Sequence, residues 1–387
     1  RKQIEAFLKS HREQSGIIYC ASRDRTEKMA NWLQDRGFES VAYHAGMDAG
    51  QRARNQDRFL QEDGIVVAAT IAFGMGINKP DVRFVVHADM PGSVEAYYQE
   101  IGRAGRDGLP AATLTLFGVE DMALRRRQIA EKDISDERRR IEHARFGRLA
   151  MLCEAASCRR QVLLSYFDEQ APPCGRGDIC RGEVALYDGT VDAQKALSAV
   201  YRTGQRFGAS YLTDVLMGTA SESVSRNGHE AIKTFGVGAD KTRTEWGGII
   251  RQLFAADAPE TASEEHGGFK LSAKGEAILL GQESIQLRKD PPKAPKPARA
   301  KVGKGQDAPE GLDEDETRIF TALRRKRLEL AREEGVAAYV VFADRTLIDL
   351  ARQRPLSLRD MAGIYGVGTA KLERYGEAFL EVLLSVE

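Results

Sequence analysis

The first 120 residues of this chain alternate between short apolar runs and amphipathic segments, and this rhythm is the strongest constraint on its fold. The apolar runs predict buried strands at 16–20, 41–43, 65–70, 82–87 and 113–117. The amphipathic segments predict helices at 26–34, 53–60 and 94–101. Strands separated by helices favour a parallel α/β sheet, in which the loops that bind ligands follow the carboxyl ends of the strands.

Two arginines, Arg103 and Arg106, lie among glycines directly after the last predicted helix. A spacing of three residues places both guanidinium groups on one face of a helical turn. Arginine presents a planar, charged fork that suits phosphate oxygens and can neutralise the charge that develops during phosphoryl transfer. The alternative interpretation is a glycine-rich turn with two arginines in surface ion pairs.

The charge and the apolar pattern of the whole chain restrict its partners. Lysines plus arginines equal aspartates plus glutamates, so overall charge does not indicate a nucleic-acid-binding protein and local features must carry that argument. No apolar run reaches the length of a transmembrane helix, and we therefore expect no membrane partner. The chain opens at Arg1 within an amphipathic run, which we interpret as a cut inside a longer protein.

Four segments in a fixed order carry a family resemblance: 15–23, 43–47, 69–80 and 97–108. Together they resemble motifs IV to VI of superfamily-two helicases. The motif A-T-x-A-F-G-M-G-I-N-K-P, followed by Y-Y-Q-E-x-G-R-A-G-R-D-G, resembles the corresponding motifs of the RecQ family of DNA helicases. The sequence contains no G-x-x-x-x-G-K-[ST] phosphate loop. The first RecA-like domain of such helicases is therefore not represented.

This resemblance covers essentially the whole chain and implies a multidomain α/β plus α fold. It combines a RecA-like parallel sheet with helical and winged-helix domains. The implied boundaries are a second RecA-like domain at 1–120, a helical zinc-binding subdomain at 121–187, a winged helix at 188–290, a basic proline-rich linker at 291–311 and a helical HRDC bundle at 312–387.

The implied function is the C-terminal part of an ATP-dependent 3′–5′ DNA helicase that acts in repair, recombination and replication. ATP and Mg²⁺ would be held mainly by the missing domain, so we expect no ATPase activity from this chain alone. The implied partners are single-stranded and duplex DNA, with single-strand binding protein and other repair proteins as further possibilities. The implied location is the bacterial cytoplasm, at the nucleoid. A DNA-binding module without motor activity is the alternative, whereas an RNA helicase is disfavoured by the motif wording.

Residue by residue, the resemblance implies an arginine finger at Arg106 that reaches the γ-phosphate. Arg103 would be its partner, and Gln99 would couple the nucleotide site to the DNA path. The segment that links the ATP state to single-stranded DNA would use four further residues: Thr70, Gly74, Gly76 and Asp81.

The resemblance also implies three groups of DNA contacts: Ser22, Arg23, His44 and Gly46 in the sheet domain, Arg226, Lys241 and Arg243 in the winged helix, and Lys371 and Arg374 in the last domain. Hydroxyls, amides and basic side chains can follow a phosphate backbone without reading bases. Alternative interpretations are a helix cap for Ser22, a packed ring for His44 and a solvated lysine for Lys371. The run from Arg324 to Arg327 is expected to be a solvated face, with weak binding of single strands as the alternative.

Three of the five cysteines lie between Cys158 and Cys180, and this clustering favours a metal site over disulfides. A RecQ-like zinc site has one cysteine on a helix and then C-x-x-C-x-x-C. Here Cys158, Cys174 and Cys180 match three positions, but Gly177 occupies the position of the fourth. Asp178 is the neighbouring candidate for the missing ligand. The remaining ligands predict zinc at a weakened site.

Overall fold

The computed structural model describes residues 1–74, 77–155, 157–182, 185–262, 268–289 and 312–386. These residues form two compact units. The first contains residues 1–89, 99–116 and the described residues from 312 onward, and the second contains residues 90–98 and the described residues between 117 and 289. The predicted linker 291–311 and Gly76 lie outside the described residues.

A five-stranded sheet organises the first unit. Its strands are Gly16–Tyr19 (β1), Ser40–Tyr43 (β2), Val66–Ala69 (β3), Phe84–His87 (β4) and Ala112–Thr115 (β5). Their spatial order is β2-β3-β1-β4-β5, and every neighbouring pair is parallel. The parallel α/β prediction is therefore confirmed, and each observed strand falls within about two residues of its predicted run.

The inner strands β1, β3 and β4 are fully buried, which explains why they read as continuous apolar runs, whereas the edge strand β5 is partly buried and alternates. The flanking helices are Lys2–Lys9 (α1), Arg23–Gln34 (α2) and Ala49–Gln61 (α3). Ser22 caps α2 by accepting from the backbone N of Arg25, and Asp48 caps α3 in the same way from Gln51. A fourth helix, Val94–Ile101 (α4), matches its predicted bounds.

The second unit is mainly helical. Its helices are Val119–Ala130 (α5), Asp136–Glu154 (α6), Arg159–Ser165 (α7), Asp178–Arg181 (α8), Thr190–Arg202 (α9), Ala209–Met217 (α10), Glu222–Arg226 (α11), Arg243–Ala255 (α12) and Ala273–Leu279 (α13), with a 3-10 turn at His229–Ala231. Two short antiparallel pairs join Leu186–Asp188 (β6) to Gln286–Arg288 (β9) and Pro259–Thr261 (β7) to Phe269–Leu271 (β8). Trp246 is fully buried and donates from Nε1 to Gly238 O at 2.7 Å, which fixes α12.

The last domain is a bundle that belongs to the first unit. Its helices are Glu314–Glu334 (α14), Ala338–Val341 (α15), Asp344–Gln353 (α16), Leu358–Met361 (α17) and Thr369–Ser385 (α18). The expectation of a solvated basic face on α14 is wrong for Arg327, whose side chain is 1% exposed. It donates to Asp344 Oδ1 at 2.7 Å within the bundle and to Asp63 Oδ2 at 3.0 Å in the sheet domain.

Among the described helices, none is both long enough and apolar enough to cross a membrane.

Candidate functional site

Three loops with predicted site residues meet at the carboxyl edge of the sheet. Ser22 follows β1, His44 follows β2 and Thr70 follows β3. Because these strands are parallel and adjacent, their carboxyl ends lie side by side. The structure therefore brings together residues that are up to 48 positions apart in sequence (22 to 70).

The two arginines after α4 form hydrogen bonds with the segment that follows β3 at two points. Arg103 Nη1 donates to Gly74 O at 2.5 Å. Arg106 Nη1 donates to Ile77 O at 3.2 Å and to Asn78 Oδ1 at 3.3 Å. The exposed Arg106 side chain can leave these weak partners, whereas the half-buried Arg103 is tied more tightly. The pair thus has one anchoring member and one member free to act elsewhere.

A buried polar network supports this arrangement, and the sequence reasoning missed it. Glu100 on α4 is hydrogen-bonded to His87 Nε2 at 2.9 Å, and the Tyr19 ring stacks on His87 with centroids 5.6 Å apart. The Tyr19 hydroxyl donates to Phe73 O at 3.2 Å, and burial raises the pKa of Tyr19 to about 12. The sequence does contain a signal for this network, because His87 is a polar residue within an apolar strand and a buried polar group needs a hydrogen-bond partner.

The remaining residues of the predicted coupling set occupy different environments. Asp81 is buried, and burial raises its pKa, although Lys79 Nζ at 3.6 Å opposes that shift. Gln99 is exposed on the last turn of α4. A Cβ on Gly74 would lie 2.4 Å from Arg103 Nη2, so the approach of Arg103 requires glycine there.

Ser22, Arg23, His44 and Gly46 lie close together. A Cβ on Gly46 would lie 2.8 Å from Arg23 Nη1, which shows that Arg23 extends over the second loop. Ser22 is a helix cap, as the alternative interpretation held. His44 is buried with Nε2 2.9 Å from Glu27 Oε1, while its Nδ1 has no hydrogen-bond partner within the described residues. The Arg23 guanidinium is exposed and available to a phosphate.

The basic candidates of the predicted winged helix all have acidic neighbours. Arg226 is paired with Glu222 at 2.5 Å on α11, and Arg243 is paired with Asp214. Lys241 Nζ lies 2.9 Å from Asp192 Oδ1 and 3.1 Å from Asp240 Oδ2. A DNA phosphate would have to replace or share these carboxylates. The exposed pair of Arg226 and Glu222 is of a type that contributes little to stability and exchanges readily, whereas Lys241 is paired with the buried Asp192.

In the last bundle, Lys371 and Arg374 lie in the first two turns of α18. Arg374 Nε donates to Glu334 Oε1 at 2.8 Å. Lys371 Nζ lies 5.7 Å from the centroid of Phe342, and burial lowers the pKa of Lys371. Lys371 is therefore half-buried rather than fully solvated.

Cys158, Cys174 and Cys180 form a cluster in which all three sulfurs lie within 4.8 Å of one another. The Sγ distances are 3.6 Å between Cys158 and Cys174 and 3.9 Å between Cys174 and Cys180. Zinc–sulfur bonds of about 2.3 Å in a tetrahedron place sulfurs about 3.8 Å apart, so these thiols fit zinc. Burial disfavours the Cys158 thiolate, yet hydrogen bonds led by the backbone N of Cys174 lower the pKa of Cys158 to about 7.

The fourth position of this cluster is not filled by Asp178, the residue predicted as the fourth ligand. Asp178 lies outside the cluster because its carboxylate is bound by Arg159, with Nε–Oδ1 at 3.0 Å and Nη2–Oδ2 at 2.9 Å. Gly177 has an extended backbone that any residue can adopt (φ −72°, ψ 164°). A Cβ there would lie 3.8 Å from Cys174 Sγ. The site thus has three thiol ligands and room beside them for a fourth.

Four family descriptions match successive parts of the chain. They are "Helicase conserved C-terminal domain" over residues 1–108, "RecQ zinc-binding" over 119–181, "RQC domain" over 183–296 and "HRDC domain" over 316–383. The zinc-binding match contains all three clustered cysteines.

Curated relatives match over nearly the entire chain. The chain is 39% identical to the ATP-dependent DNA helicase RecQ of Haemophilus influenzae over 99% of its own length and 61% of the relative. It is 38% identical to that of Pasteurella multocida and 32% identical to that of Bacillus subtilis, covering 60% and 61% of those proteins. The chain thus spans about three-fifths of the relatives that it matches. On these matches, the chain belongs to the RecQ family, of which it represents the C-terminal portion.

Proposed function

We propose that this chain is the DNA-handling portion of an ATP-dependent DNA helicase and that it completes the nucleotide site with Arg106. The observation that carries the proposal is the position of Arg106, an exposed guanidinium whose hydrogen bonds within the described residues go to Ile77 O, Asn78 Oδ1 and Gly102 O. The curated relatives are named ATP-dependent DNA helicases, which supports ATP as the fuel, and Mg²⁺ is proposed as its counter-ion. In the complete protein, ATP would bind mainly to a domain outside this chain.

We assign the steps as follows. The finger leaves Asn78 to stabilise charge on the γ-phosphate, as arginine fingers do in phosphoryl transfer. Arg103 remains hydrogen-bonded to Gly74 O and holds the segment that follows β3. Thr70 and Asp81 belong to this segment, which links the nucleotide state to the residues that bind DNA. Gln99 lines the same edge and couples the two sites.

DNA would follow Arg23, Ser22, Gly46 and His44 along the sheet edge. The RQC and HRDC regions would add Arg226, Lys241 and Arg243, and Lys371 and Arg374, respectively. Movement in the 3′–5′ direction on single strands, with separation of duplex DNA, is the proposed outcome. Because the named relatives are bacterial, nucleoid DNA is the proposed substrate.

Zinc is the proposed structural metal, held by Cys158, Cys174 and Cys180. It would fix the loop before α8 to the start of α7, where few apolar side chains are buried. The fourth ligand would be a water molecule at the position beside Gly177.

Unwinding of a partial duplex by the complete protein tests the motor function, with ATPase activity measured in parallel. We expect DNA-stimulated ATP hydrolysis from the complete protein and none from the 387-residue chain, whereas both bind DNA. If the complete protein binds DNA but neither hydrolyses ATP nor unwinds the duplex, the alternative of a non-motor DNA-binding module is correct.

A further inference from the structure

The cluster of Cys158, Cys174 and Cys180 offers a metal three protein ligands rather than four. Within the part of the chain that the structure describes, no histidine, carboxylate or further thiol joins these sulfurs within 4.8 Å. The nearest cysteine in sequence, Cys153, is buried on α6 and lies outside the cluster. Structural zinc sites are almost always closed by four protein ligands, so this site differs from them by one position.

The neighbouring carboxylate of Asp178 is held away from the sulfurs. Arg159 binds both of its oxygens, with Nε–Oδ1 at 3.0 Å and Nη2–Oδ2 at 2.9 Å. The same guanidinium is fixed from the other side, because its Nη1 donates to Leu152 O at 2.9 Å and to Cys153 O. Movement of Asp178 to the cluster would break a two-pronged, charge-assisted pair. The missing ligand is therefore not supplied by this carboxylate.

The position beside Gly177 is open to solution. A Cβ there would meet only Cys174 Sγ within 4 Å among the described residues beyond its chain neighbours, and a Cβ on Gly175 would meet nothing. Cys174 and Cys180 are half-buried, and Gly175 and Arg176 are exposed. A small molecule can therefore approach the three sulfurs from this side without displacing a side chain.

The chemistry of the open position favours a thiolate. Zinc at structural sites takes thiolate sulfur or imidazole nitrogen, and thiolates are the soft ligands already present here. Zn²⁺ with three thiolates carries one net negative charge, and a fourth thiolate adds another. Arg160, Arg176 and Arg181 are exposed and lie within two residues of the cluster cysteines in the chain, so positive charge is at hand to offset this addition.

We infer that the zinc-loaded chain binds a low-molecular-weight thiol from solution beside Gly177, with the sulfur of this thiol as the fourth zinc ligand. The inference rests on zinc as the structural metal, as proposed above, and adds an external ligand to its site. On binding, the thiol releases its proton to solvent and its sulfur takes the place of a water molecule. No oxidation is involved, and no bond of the chain is broken.

Gly177 is the residue that makes this ligand external. Its extended backbone would accept a cysteine without strain, and the thiol of that cysteine would occupy the open position permanently. A thiol from solution occupies the position only in proportion to its concentration. The metal site of the unmodified chain is therefore expected to respond to the thiol concentration around it, whereas a site closed by Gly177→Cys is not.

The test uses the full 387-residue chain loaded with Co²⁺ in place of zinc, freed of unbound metal and titrated with 2-mercaptoethanol. We expect the thiolate-to-cobalt absorption to rise by about a third, because three bound thiolates become four. Gly177→Cys is the matched control, since its four thiolates leave no position for the probe and its absorption should stay constant. Ethylene glycol, the hydroxyl analogue of the probe, should change neither spectrum. No rise in the unmodified chain, or an equal rise in Gly177→Cys, would overturn the inference.

Native mass spectrometry of the zinc-loaded chain provides a second readout that needs neither cobalt nor the cysteine variant. We expect one bound thiol for each bound zinc, both in the unmodified chain and in Gly177→Ala, and loss of this thiol when a chelator removes the metal. A thiol that stays on the chain after zinc removal would be a disulfide adduct and would contradict metal ligation. A chain that binds no metal would contradict the proposed zinc site itself, whereas a metal-loaded chain that binds no thiol would contradict only this inference.

Discussion

Arg106 Nη1 lies 3.3 Å from Asn78 Oδ1, so the candidate finger rests on the segment that it is proposed to control. A second bond to Ile77 O at 3.2 Å completes the resting position. Both acceptors are neutral, and a γ-phosphate is a stronger partner for a guanidinium. The exchange of these partners for phosphate would free residues 77–78 each time ATP binds. If the proposed function is correct, this relationship would let one arginine pass the nucleotide state to the segment that follows β3.

Replacement of Arg106 by alanine in the complete helicase tests this role. We expect the ATPase rate to fall by about a thousandfold, because a finger acts on the transition state. DNA affinity should stay within a few-fold, since Arg106 is not among the proposed DNA contacts. Steady-state ATP hydrolysis and oligonucleotide binding are the measurements, with the exposed Arg54→Ala as control. Retained hydrolysis with lost DNA binding would refute the assignment.

Replacement of Gly177 by cysteine tests the metal site. The backbone at this position accepts any side chain, and its Cβ would lie 3.8 Å from Cys174 Sγ. We expect Gly177→Cys to raise zinc affinity by at least about tenfold, because a fourth thiolate closes the site. Competition with a chromophoric chelator measures this affinity. Gly177→Ala adds a Cβ without a ligand and should leave affinity unchanged; a gain in the alanine variant would mean that backbone rigidity, not ligation, is responsible.

Several features of the fold followed directly from sequence. The inner strands of the sheet are continuous apolar runs, and Ser22 and Asp48 precede helices as caps, so local chemistry was sufficient to place them. The position of Arg327 could not be predicted, because its partner Asp63 is 264 residues away and a basic run on a helix usually faces solvent. Asp178 was a reasonable zinc ligand by adjacency, but Arg159 is a better partner for its carboxylate.

The Asp63 contact predicts a pH dependence. The pKa of Asp63 is lowered from its ordinary value of 3.8, so its stabilising contribution is fully present above pH 3.8 and is lost as pH falls through the lowered value. The difference in Tm between the unmodified chain and Asp63→Asn should therefore be constant from about pH 7 to pH 5 and shrink below about pH 4. Calorimetric scans across this range measure it. A difference in Tm that grows on acidification would show that the contact between Asp63 and Arg327 does not depend on the ionised carboxylate.

The stability of the second unit depends on Arg126, whose side chain is 9% exposed. It donates from Nη2 to Phe254 O at 2.9 Å and to Asp257 Oδ1 at 2.6 Å, and its guanidinium lies 4.0 Å from the centroid of the Phe254 ring. Removal of Arg126 takes away one donor to Phe254 O, which keeps the backbone N of Asp257 at 3.2 Å, and leaves a void beside the ring. We expect Arg126→Ala to lower the free energy of unfolding by about 2–4 kcal/mol.

Chemical denaturation followed by Trp246 fluorescence measures this loss, because Trp246 lies on α12, the helix that also carries Phe254. The control is Arg140→Ala on α6, an exposed position where a change within about 0.5 kcal/mol is expected. Arg126→Lys should recover only part of the loss, since an ammonium keeps the charge but lacks the planar guanidinium that lies over the Phe254 ring. Full recovery by lysine would show that charge alone, rather than the geometry of the guanidinium, holds α5 against α12.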